Sequence, residues 1–129
     1  MSLFYNIVKR FNPAKPAEPP KYHAVIKSDG IVTISDIGKR ITASSAFTRA
    51  DVIGLMYGLM DVIADELKDG KIVRIDPLGT FTLKARSRGA EDPSKFTSRR
   101  IDGVKLHFSP HKEFLDELRN VHWKKWKPF

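Results

Sequence analysis

The sequence predicts an α+β fold, and three observations predict it. Its first half holds two capped amphipathic helices, a Gly-terminated hairpin follows them, and a polar, basic stretch then leads into one more strand and helix. No repeat of fixed period interrupts this order. The elements divide the chain into an N-terminal extension at 1–30, a main domain at 31–120 and a basic, aromatic tail at 121–129.

Leu3 to Arg10 is aromatic and partly β-branched, which predicts a strand. Pro13, Pro16, Pro19 and Pro20 then fix φ and remove backbone donors, so Phe11 to Lys21 reads as an extended spacer. Tyr22 to Lys27 resumes strand character before the turn signal Ser28-Asp29-Gly30. Thr33 with Asp36 three residues later has the spacing of a capping box, and Ile34, Ile37 and Ile41 fall on one face of a short helix from Ile34 to Thr42. Thr48 and Asp51 repeat the capping spacing at the head of a second helix.

That helix places Val52, Leu55, Met56, Leu59, Val62, Ile63 and Leu67 on a stripe widened by Ile53 and Met60. So broad an apolar surface asks for more partner area than one small domain supplies, and a homodimer is the economical solution. Gly54 and Gly58, each about 1 kcal/mol less favourable than Ala in a helix, point to a close helix approach. Gly70 supplies the C-terminal stop. Lys71 to Ile75 and Thr80 to Ala85 are read as paired strands around the turn Pro77-Leu78-Gly79, and residues 86–100 as a polar, unpatterned basic segment. Ile101 to Phe108 alternates, with Val104, Leu106 and Phe108 on one face and Lys105 and His107 on the other. Ser109-Pro110 marks a helix start with Pro at the first helical position, and Phe114, Leu115 and Leu118 give that helix its apolar face.

Charge and composition narrow the function. The net charge is +8, yet residues 31–83 carry six Lys/Arg against seven Asp/Glu, whereas 84–112 carry eight against three. Basic charge gathered on one segment is the footprint of a polyanion binder. No apolar run is long enough to span a bilayer and no secretory leader is evident, so the expected setting is cytoplasmic, without membrane. With no cysteine there is no disulfide or thiolate metal site. His23, His107, His111 and His122 lack a metal-ligand spacing, and no phosphate-cradling loop or activated nucleophile is present. The expectation is a protein that is not an enzyme, with no cofactor, metal or small-molecule substrate.

Residues 47–83, through Gly70, Val73 and Leu78-Gly79-Thr80-Phe81, together with the Phe108 to Lys112 junction, resemble the bacterial histone-like HU and integration host factor family. The match extends over about Thr33 to Asn120, and the terminal extensions resemble a longer HU-related group of Bacteroides-like bacteria. The resemblance implies two N-terminal helices, a three-stranded sheet with a β-ribbon arm, a C-terminal helix and an intertwined homodimer with Leu55, Met56, Leu59, Ile63 and Phe81 at its seam. It also implies an architectural, nucleoid-associated role in which the arms hold duplex DNA with low sequence specificity and bend it. Lys84, Arg86, Arg88, Lys95, Arg99, Arg100 and Lys112 are the candidate phosphate contacts.

In that family a tip proline wedges between base steps. Pro93 is the nearest equivalent here, but Glu91 and Asp92 precede it, and carboxylates are repelled by phosphates, which favours an ordinary turn. The alternative function is a dimeric protein-interaction module derived from HU that has lost strong DNA binding and offers its terminal strands to a partner. Trp123 and Trp126 with their neighbouring lysines have the composition of a single-strand stacking site. Their spacing more simply predicts a terminal strand beside Tyr5, Ile7 or Tyr22.

Overall fold

A computed structural model describes residues 2–126, which form two units: Thr33–Glu117, and the two ends of the chain up to Val32 and from Leu118 onward. In the first unit, α1 (Ile34–Ala43) and α2 (Arg49–Lys68) precede an antiparallel sheet in the order β3-β4-β5. Its strands are β3 (Val73–Ile75), β4 (Gly79–Ser87) and β5 (Ile101–Pro110), and α3 (Lys112–Glu117) follows. The second unit is a sheet of its own, ordered β2-β1-β6, from β1 (Ser2–Arg10), β2 (Lys21–Ile26) and β6 (His122–Lys125). The terminal strands thus pair with one another and do not extend the β3-β4-β5 sheet.

Both helices begin in capping boxes. The Thr33 hydroxyl accepts the Asp36 amide proton while the Asp36 carboxylate accepts from the Thr33 amide, and Thr48 and Asp51 repeat the exchange. Helix α2 ends in a Schellman turn: the amide of Gly70 donates to Leu67 O and that of Lys71 to Glu66 O, both at 3.1 Å. This geometry puts Gly70 at φ +82°, where a Cβ would be strained.

Three sequence expectations shift at this level. The strand expected from Lys71 begins only at Val73, because the Schellman turn consumes Lys71. Pro110 closes β5 and does not open α3; it pairs with Gly79, and His111 caps the helix through Nδ1, which accepts the Glu113 amide proton at 3.3 Å. The segment 86–100 is not featureless either, since β4 runs on to Ser87 and two 3₁₀ turns, Pro93–Lys95 and Ser98–Arg100, lie between the strands.

Among the described residues Leu67 is the one buried large hydrophobic side chain. Along α2, Leu55 is 69% exposed, Met56 47% and Leu59 38%, whereas Ile63 is half-buried. An open apolar hollow beside them is lined by Ile41, Phe47, Val52, Gly54 and Leu55. Within one chain nothing lies within 4 Å of where a Cβ would stand on Gly54 or Gly58.

Candidate nucleic-acid interface

The β4–β5 ribbon is the element that carries the candidate cations. Its register sorts side chains onto two faces, because residues paired directly across an antiparallel ladder point the same way. Phe81 pairs with Phe108, Leu83 with Leu106 and Ala85 with Val104, which makes one face apolar. The two phenyl rings meet there at 5.0 Å. On the other face Thr82 pairs with His107, Lys84 with Lys105 and Arg86 with Gly103. No carboxylate is on this second face from Thr80 to Arg86 or on the residues opposite.

Lys84 opposite Lys105 is the informative pair, since like charges facing each other across a ladder destabilise a sheet. Lys105 was not among the candidate contacts. Its alternation was visible in the sequence, but only the strand register sets it beside Lys84. Phe81, which the resemblance places at the subunit seam, meets the Phe108 ring of its own chain at a tilt of 47°.

Towards the tip the arginines divide into two kinds. Arg88 and Arg100 fasten the arm to itself: the Arg88 guanidinium donates to Arg99 O and that of Arg100 to Gly89 O, each at 2.8 Å, and Arg88 Nε lies 3.3 Å from Asp102 Oδ1. The Arg88 amide adds a bond to Arg100 O at 2.8 Å, which continues the ladder past the bulge at Arg86/Ser87. Lys95 and Arg99 are exposed on the two 3₁₀ turns. Pro93 opens the first of these turns, whose N-terminus is capped by the Asp92 carboxylate accepting from the Ser94 amide at 3.2 Å. Glu91 and Asp92 stay exposed beside it.

Lys112 is not with the other cations. It follows Pro110, which pairs with Gly79 at the base of the ribbon, about 30 Å along the strand direction from the tip. That base is tied down by the His111 amide donating to Leu78 O at 2.9 Å, and by Asp76, whose carboxylate takes Arg74 Nε at 3.0 Å and lies 3.6 Å from His111 Nε2. The Arg74 hydrogen bond holds the Asp76 carboxyl below its ordinary range, helped by the charge of Arg74 and by His111. Gly79 is required there. A Cβ on it would stand 2.5 Å from Ser109 O and 2.8 Å from the Phe108 ring.

This combination of capped helices, glycine-pinned ribbon base and basic arm is matched by one family model over residues 1–125, the HU-HIG family, described as an HU domain fused to a winged helix-turn-helix, immunoglobulin or glycine-rich motif. The chain belongs to the HU-HIG family. The match takes in the N-terminal extension as well as the HU-like body. The integration host factor alpha subunits of two strains of Caulobacter vibrioides are 25% identical over 80 residues, or 57% of this chain and 80% of theirs. A crystal structure of a presumed DNA-binding protein from Bacteroides vulgatus shares the fold, with a TM-score of 0.70 at 11% identity, over 99% of this chain. The HU-HIG chain spans half the length of that Bacteroides protein. No group of His, Cys, Asp and Glu among the described residues could hold a metal ion, and no described helix is long and apolar enough to cross a membrane.

Proposed function

We propose that this HU-HIG chain is an architectural DNA-binding protein that acts as a homodimer and holds duplex DNA through the cationic face of its β4–β5 ribbon with little sequence preference. The observation that carries the reading is the face formed by Lys84, Arg86 and Lys105, cations set together on paired strands with no carboxylate among them. Such an arrangement costs stability in isolation and is compensated when phosphates neutralise it. The names of the Caulobacter and Bacteroides relatives point the same way. The dimer is supported by the uncovered apolar side chains of α2 and by the hollow between Ile41, Phe47 and Leu55, which a second copy would fill.

In this reading the arm cations do different work. Lys84, Arg86 and Lys105 meet phosphates, joined by Lys95 and Arg99 nearer the tip, while Arg88 and Arg100 keep the arm in shape. Pro93 does not wedge between bases, because the capped turn fixes it beside two carboxylates. Backbone contacts of this kind position the protein without reading sequence.

The test is Lys84→Ala/Arg86→Ala/Lys105→Ala in the full chain. Its affinity for unrelated duplexes is expected to fall by similar factors, and its log-affinity against log-salt slope to flatten by up to about 0.9 for each contact removed. A variant that keeps its fold by circular dichroism and binds as the native chain does would overturn the reading. The protein-interaction alternative, which the acidic tip favours, would then take its place.

A further inference from the structure

We infer that the terminal sheet β2-β1-β6 carries a second DNA-backbone contact surface, separate from the ribbon. It rests on duplex DNA being the partner, but not on the ribbon reading.

Charge is the first observation. Residues 1–32 and 118–129 hold nine Lys/Arg against two Asp/Glu, a net +7, whereas 33–117 hold fourteen against thirteen, a net +1. Nearly all of the +8 of the chain therefore belongs to the unit that the basic-arm argument leaves out. Neither acid lies on a strand, and Glu18 is engaged with Lys15 at 3.6 Å.

Register is the second. On β1 and β2, Arg10 pairs with Lys21, Val8 with His23 and Asn6 with Val25, and on β1 and β6, Phe4 pairs with Lys124 and Ser2 with His122. All of these share one face. Leu3, Tyr5, Ile7, Tyr22, Ile26 and Trp123 take the opposite, mostly apolar face, which also carries Lys9 and Lys125. Arg10 opposite Lys21 repeats the like-charge pairing of Lys84 with Lys105, and no carboxylate of the described residues lies within ion-pair distance of Arg10, Lys21 or Lys124. The basic face also holds Trp126, edge-on to Phe4 at 5.4 Å, with Lys27 Nζ 5.4 Å from the Trp126 ring centre.

A receptacle is the third. A cleft of about 310 Å³ opens at the end of this face, lined by Arg10, Phe11, Glu18, Lys21 and His23, so that two cations outnumber one carboxylate there. Its size and cations suit a backbone phosphate with its sugar. The cations of this face gather at its two ends, Arg10 and Lys21 at the cleft and Lys27 and Lys124 about 20 Å away along the strands, and two such clusters complement the phosphates of a duplex, a polyanion of regular charge spacing.

Both tryptophans of the chain, Trp123 and Trp126, belong to this unit, so intrinsic tryptophan emission reports on the terminal sheet without a label. The test titrates a random-sequence duplex into three full-length proteins: native, Arg10→Ala/Lys21→Ala/Lys124→Ala, and the ribbon variant Lys84→Ala/Arg86→Ala/Lys105→Ala. Native protein should show a DNA-dependent change in emission. The ribbon variant should keep that change, and the terminal variant should lose it while its duplex affinity falls on the order of tenfold or more at moderate salt. Arg10→Lys should bind nearly as the native protein does, because a point contact to phosphate needs only the charge.

Native affinity and emission in a terminal variant that retains its circular dichroism would overturn the inference and leave the ribbon reading intact. Loss of binding in the terminal variant alone would sustain the inference and overturn the ribbon reading. Terminal-variant binding that is unchanged for duplex but lost for phosphatidylglycerol vesicles would overturn the inference in favour of a lipid surface.

Discussion

Gly79 is where one residue decides whether the ribbon can start. Its missing Cβ lets β4 close onto Ser109 O and the Phe108 ring, a backbone oxygen held in the β4–β5 ladder and an aromatic ring packed against Phe81. Gly79→Ala is therefore expected to destabilise the fold by about 1–3 kcal/mol, the usual cost of overpacking, read as a lower urea midpoint. An unchanged midpoint would mean that β5 gives way more easily than its pairing suggests. Residues whose role is local were legible from sequence. The capping pairs Thr33/Asp36 and Thr48/Asp51 and the left-handed Gly70 are set by neighbours a few residues away, and the structure has each of them. Lys105 was missed as a candidate contact because its significance depends on Lys84, distant in sequence and brought opposite only by strand register. The tethering bonds of Arg88 and Arg100 were illegible for the same reason.

At the scale of elements, the helix starts are held by carboxylates, and this makes them acid-sensitive. The amide and hydroxyl of Thr33 lower the Asp36 pKa, those of Thr48 lower that of Asp51, and Arg74 lowers that of Asp76. A depressed carboxylate contributes stability in full above its ordinary value of 3.8 and loses it as the pH falls through the lower folded value. The thermal midpoint should stay level from about pH 7 to about pH 5 and drop below about pH 4, and Asp51→Asn should shrink that drop. A midpoint level throughout the acid range would contradict the capping account. Helices and strands were readable from their periodicity, but the boundary at Pro110 was not. Proline suits both a strand end and a first helical turn, and only the partner Gly79 and the cap supplied by His111 decide between them. The C-terminal strand was expected beside Tyr5, Ile7 or Tyr22, and of these Tyr5 is the one whose ring Trp123 meets edge-on, at 6.5 Å. That β1, β2 and β6 make a sheet of their own needed the pairing of chain ends more than a hundred residues apart, which no local pattern encodes.

For the whole molecule, the single chain is conspicuously unfinished: its long helix leaves Leu55, Met56 and Leu59 uncovered, and one large hydrophobic side chain is buried among the described residues. Sedimentation equilibrium at micromolar concentration is expected to give a dimer, and Leu55→Glu/Leu59→Glu to shift it towards monomer with loss of folded structure. A native chain that sediments as a well-folded monomer would remove the two-armed grip. Charge at this scale is distributed over both units, with the ribbon face of Lys84, Arg86 and Lys105 in one and the strand cations Arg10, Lys21 and Lys124 in the other. The fold follows from the HU-HIG match, whereas the proposed grip on DNA rests on these cation placements and is the claim most open to experiment. Its direct test is the affinity of the native chain for two unrelated duplexes across a series of salt concentrations. The account predicts two parallel straight lines of log affinity against log salt, each falling by about 0.9 per phosphate contacted. Absence of binding at low ionic strength, or binding indifferent to salt, would contradict it.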